Sequence, residues 1–72
     1  MKNYLKATKL LNNIIIFASV VENSTEQEKE TILSRLHTYY NDIAKMLYLD
    51  SMNVTTLEEI EKLFKKIKKE VN

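Results

Sequence analysis

Apolar residues recur along this chain with helical spacing rather than strand spacing. Between residues 3 and 22, Tyr4, Ala7, Leu11, Ile14, Ala18 and Val21 follow the alternating three- and four-residue step of a helix seam. Leu10, Ile15 and Phe17 widen that stripe, and Thr8, Lys9, Asn12, Asn13 and Ser19 take the opposite side. Leu5, Ile16 and Val20 break the segregation. At about 100° per residue they fall among the polar positions, roughly opposite the seam. The first helix therefore carries two apolar faces, and only one of them can meet the rest of its own chain.

A second segment opens at "NSTEQEKE". Asn23 suits a left-handed end to the first helix in a chain without glycine. Ser24-x-x-Gln27 and Thr25-x-x-Glu28 both have capping-box spacing, and Glu26, Glu28 and Glu30 lie where a helix dipole favours negative charge. Ile32, Leu33, Leu36, Tyr39, Tyr40, Ile43, Ala44 and Leu47 then share one broad face. Ser34, Arg35, Thr38, Asn41, Asp42 and Lys45 share the other.

The next break is "DSMNVTTLEE", rich in turn formers, with Thr55-x-x-Glu58 or Thr56-x-x-Glu59 as the start of a third helix. Leu57, Ile60, Phe64, Ile67 and Val71 form its seam with Leu63 beside them. Glu58–Lys62 and Glu61–Lys65 are spaced for ion pairing along the helix. The prediction is an all-α, antiparallel three-helix bundle in one domain, with helices at about 3–22, 25–49 and 56–71.

The run "NIIIFASVVEN", residues 13 to 23, tests that reading. As a strand it has no partner elsewhere in the chain. As a membrane span it is too short, since about 20 largely apolar residues are needed and Asn12 and Asn13 interrupt the run. Lys2, Lys6 and Lys9 before it, and Ala18 and Ser19 at its end, also fit the grammar of a secretion leader. The paired asparagines and the fit to helical period favour a structural helix, and a cytoplasmic protein is expected.

Composition narrows the chemistry. The chain has 72 residues, with no cysteine, glycine or proline. Missing cysteine rules out disulfides, thiolate metal sites and cysteine nucleophiles. Missing glycine rules out the phosphate-cradling loops that depend on it, and missing proline leaves long helices unbroken. A domain this small without disulfide or metal depends on regular helix packing or on self-association. Lysine, isoleucine and asparagine fill a third of the positions. Their AT-rich codons point to a low-GC bacterium, or to a phage or plasmid of one.

Net charge is +1, so no whole-molecule field favours nucleic acid. The local exception is Lys62, Lys65, Lys66 and Lys69, which line the outer side of the third helix as a phosphate-binding stripe would. Glu58, Glu59, Glu61 and Glu70 share that helix, which fits a solvated face better. His37, Tyr39, Tyr40 and Tyr48 are the one cluster with acid–base potential. No nucleophile and orienting partner share a flank with His37, so half-buried tyrosines at a core edge explain it better than catalysis.

The sequence thus predicts a non-enzymatic interaction module without cofactor or metal: a regulator, inhibitor or adaptor of another protein. It is expected to form a homodimer through Leu5, Ile16 and Val20, with Asn13 fixing the register. A nucleic-acid-binding regulator acting through the third-helix lysines is the alternative.

Overall fold

A computed structural model describes residues 2–71 of the chain, with side chains from residue 3 onward. The side chain of Lys2, one of the lysines in the leader reading, lies outside the described residues. Three helices account for nearly all of the chain: α1 (Lys2–Glu22), α2 (Lys29–Tyr48) and α3 (Val54–Val71). They form the predicted antiparallel three-helix bundle. The closest pairing is α1 with α2, and α3 packs against both.

The core is the seam of each helix brought together. Ala7, Leu10, Ile14 and Val21 of α1 meet Ile32, Leu36, Ile43 and Met46 of α2 and Leu57, Ile60, Phe64 and Ile67 of α3. Phe17 and Phe64 touch edge to face at 5.7 Å between centroids, the favoured aromatic geometry. No polar or charged side chain is buried among the described residues, so packing alone holds this interior. Leu11, Phe17, Ala18, Leu33, Tyr39, Tyr40 and Leu47 pack half-buried around it.

Several local expectations are corrected. α2 begins at Lys29, four residues later than its capping boxes suggest, and neither box forms. Ser24 is already engaged: its hydroxyl donates to the Val21 carbonyl at 2.7 Å and accepts the Glu26 N–H at 3.3 Å. That closes a turn on the end of α1 and leaves Glu28 at the α2 N-cap without a side-chain bond. Glu26 therefore falls outside the first turn of α2, which holds only Glu30 as an acid.

Asn23 does not take the left-handed conformation; its side-chain amide donates to the Ser19 carbonyl at 2.9 Å instead. The positive φ falls on Asp50, at 52°. Around it Ser51 N–H reaches the Met46 carbonyl at 3.1 Å and Asp50 N–H reaches that of Leu47 at 3.4 Å. These are the 6→1 and 5→2 bonds of a left-handed helix ending, with aspartate standing where glycine is usual. The Tyr4 hydroxyl donates to the Asp50 carboxylate and ties this ending to the start of α1.

α3 is capped by Asn53 and starts at Val54, not at the threonines. Asn53 Oδ1 accepts the Thr56 N–H at 3.1 Å, the bond an N-cap makes to the third helical residue. The intrahelical pairs Glu58–Lys62 and Glu61–Lys65 are not formed. Glu61 faces α1 and meets Lys6 at 3.5 Å, the single ion pair among the described residues.

Candidate interaction surface

On α1 the helix period fixes which side chains the bundle can cover. Ala7, Leu10, Ile14 and Val21 point into the core, and the residues about half a turn away point outward. Leu5 is 66% exposed, Ile16 62% and Val20 57%, so all three sit where the sequence pattern places them. Lys9, Asn12 and Asn13 are exposed on the same outer side. Read in order, that side runs Leu5, Lys9, Asn12 and Asn13, Ile16, Val20. Ile16 and Val20 are one turn apart and form its widest apolar step.

Ile15 departs from expectation. Helical period sets it on the core stripe, but it is 46% exposed, because α1 has only two neighbours and their reach ends before its flank. It lines a groove of about 490 Å³ between α1 and α2. Ile14, Ala18, Leu33, Leu36 and Tyr40 supply the groove's other apolar surface, and Ser19, Glu22 and His37 its polar members. The groove adjoins the outer face of α1, since Ile15 and Ser19 are the immediate chain neighbours of Ile16 and Val20. His37 is exposed, and its contribution is to this wall. Tyr39 and Tyr40 are half-buried at the core edge, as expected, but Tyr48 is 87% exposed. It sits beside the exposed Leu49 at the end of α2, where Asn41, Ala44 and Lys45 complete a shallower depression.

α1 is one continuous helix through Asn12 and Asn13, so the length argument against a membrane span does not hold. Asn3–Glu22 is long and apolar enough to cross a membrane, at mean hydropathy 1.2. In the bundle that same helix contributes four core side chains.

On α3, Lys62, Lys65, Lys66 and Lys69 are exposed, but so are Glu58, Glu59 and Glu70 on the same helix. Lys68, which the sequence pattern does not single out, lies over the Phe64 ring at 5.3 Å from its centroid. Phe64 itself is buried, so no aromatic on this helix is free to stack on a base. The positive stripe is interrupted and lacks a stacking platform. Among the described residues no three His, Asp or Glu side chains converge as metal ligands.

Compared with known proteins, the chain matches no family model, no curated sequence and no solved structure.

Proposed function

We propose that this chain is a small non-enzymatic protein–protein interaction module of the cytoplasm, a helical bundle that pairs through α1 and regulates, inhibits or adapts another protein. The observation that carries this reading is the outer face of α1. Three large apolar side chains stand more than half exposed there, in a chain whose other helices keep most of theirs inside. Each such side chain forfeits about 1.5–3 kcal/mol relative to full burial, against a whole-domain stability of roughly 4–11 kcal/mol for a chain of this length. A partner surface recovers that loss. The shallow patch at Tyr48 and Leu49 lies on another helix and suits a further protein contact.

Sedimentation velocity on wild type and on an Ile16→Lys, Val20→Glu variant tests the reading. Wild type is expected to associate at micromolar concentration and the variant to run as a folded monomer. Equal sedimentation of the two as monomers refutes pairing through α1. The nucleic-acid reading is tested separately by salt-dependent retention on generic DNA, since phosphate contacts weaken steeply with salt.

A further inference from the structure

The core positions of α2 and α3 fall on one seam that runs straight through the turn between them. In α2 the inward residues are Ile32, Leu36, Tyr39, Ile43 and Met46, in alternating steps of four and three. In α3 they are Leu57, Ile60, Phe64, Ile67 and Val71, in alternating steps of three and four. Carried on from Met46, the same alternation passes through Asp50 and Asn53 and lands on Leu57 without a skip. The closed bundle does not need this, because two antiparallel helices joined by a loop have independent phases. A single helix does need it. We propose that residues 49–53 are a hinge, and that in its open form residues 29–71 make one helix whose α3 half packs on the α1–α2 pair of a second copy. The second copy's α3 does the same in return. This exchange is separate from pairing through the outer face of α1 and does not rest on it.

The hinge carries nothing that forbids a helix. Residues 49–53 are Leu49, Asp50, Ser51, Met52 and Asn53, and the chain has neither glycine nor proline to end one. The turn is closed by Asp50 in the left-handed conformation, at φ 52°, a position that glycine normally fills. A residue with a β-carbon gives up a factor of roughly five or more there. The Tyr4 hydroxyl, donating to the Asp50 carboxylate, offsets part of that loss and holds the turn against α1. In a straight helix that bond is lost and residue 50 turns into the seam, where a carboxylate is poorly placed. Residue 50 therefore sets the balance between the two forms, and aspartate favours the closed one.

The exchange needs no new kind of contact. The partner's α3 takes the place that α3 holds in the closed chain, so Phe17 meets the partner's Phe64 edge to face and Lys6 meets the partner's Glu61. The two long helices run antiparallel about a two-fold axis at the hinge, midway between residues 50 and 53. That symmetry sets Met46 beside the partner's Leu57 and Ile43 beside the partner's Ile60, apolar against apolar. At the axis Asp50 meets the partner's Asn53, whose amide donates to the carboxylate. Within one chain α3 competes at an effective concentration on the order of millimolar, so the native hinge stays closed in micromolar protein.

The test is made in the Ile16→Lys, Val20→Glu background, where pairing through α1 is removed. Ser34→Cys and Lys69→Cys carry two spin labels at exposed positions of α2 and α3. Labelled chains are refolded with an excess of unlabelled chains, so the distance read lies within one chain. The closed bundle is 19 × 16 Å across and folds α3 back along α2, so the labels stay close. One continuous helix sets residues 34 and 69 roughly 52 Å apart. Asp50→Ala removes the carboxylate and its bond from Tyr4, Asp50→Leu also supplies an apolar seam residue, and Asp50→Gly relieves the closed turn. After refolding at high micromolar concentration, the alanine and leucine variants are expected at dimer mass with the long distance. The glycine variant is expected at monomer mass with the short one. The alanine dimer should bind at least about 25-fold more tightly than the glycine dimer, because both chains escape the left-handed factor. Monomer mass for both the alanine and leucine variants overturns the hinge, as does a dimer that keeps the short distance. A glycine variant that opens as readily as the alanine one overturns the part given to residue 50.

Discussion

Leu36 and Ile43 on one side, and Ile16 on the other, mark the two extremes of what a large aliphatic side chain does in this protein. The first two are essentially inaccessible to water, at 1% and 0% exposure. Truncating Leu36 to alanine removes buried methyl groups and leaves a cavity, at a cost of about 2–5 kcal/mol. That is a large fraction of the domain's whole stability, so Leu36→Ala is expected to lower the urea midpoint steeply or abolish the folded baseline. A shift of only a few tenths of a kcal/mol would mean that the α1–α2 seam is not where the chain's stability lies. Most of this was legible from period alone: Ile14, Val21, Leu36, Ile43, Leu57, Ile60, Phe64 and Ile67 were all placed on inward faces. Ile15 departs from the core stripe on which period sets it, and the pattern assigns Met46 to neither face. Period gives the direction in which a side chain points but not how far the neighbouring helices reach around the flank. That reach leaves Ile15 half in water and covers Met46, one turn beyond Ile43. The three candidate residues Leu5, Ile16 and Val20 were legible because they lie almost opposite the seam, where no reach of α2 or α3 can cover them.

At the level of elements, the three helices and their order followed from the seams, while their ends did not. Every capping box in the sequence had a competitor nearby. Ser24 closes the end of α1 instead of opening α2, and Asn53 reaches the α3 backbone before Thr55 or Thr56 can. Hydroxyl and amide side chains within a few residues of one another offer several local bonds of similar worth, and tertiary placement of the helix decides which forms. The caps make a sharp prediction. Asn53→Ala is expected to destabilise the protein by about 1 kcal/mol, and Thr55→Ala by far less, in matched urea denaturations. The reverse order would restore the threonine cap. Asp50→Ala also acts at a helix end, since alanine carries the left-handed penalty of about 1–2 kcal/mol without a carboxylate for Tyr4. Asp50→Gly is expected to be the milder change, because glycine removes the backbone part of that cost.

For α3 the expected outcome is that the outer lysines are dispensable to the fold. Lys62, Lys65, Lys66 and Lys69 changed together to glutamine keep comparable helix propensity and disturb no buried contact. Circular dichroism and sedimentation of that variant should match wild type. Loss of a salt-sensitive DNA or RNA complex in the same variant would instead promote the nucleic-acid reading.

The whole molecule is a bundle with a packed interior and an exposed apolar stripe along the outer side of α1. The packed interior is the route to stability expected of a chain this short without cysteine, which otherwise depends on a second copy. What the stripe would meet is not legible in the sequence, because an apolar stripe records area and spacing but not what lies across from it. The proposed pairing covers the outer face of α1 in solution with another copy. Sedimentation equilibrium of wild-type protein, from low to high micromolar concentration, measures this most directly. Pairing through α1 predicts a weight-average mass rising with concentration from 8.5 kDa toward twice that value, and a mass that stays at 8.5 kDa up to high micromolar concentration refutes it.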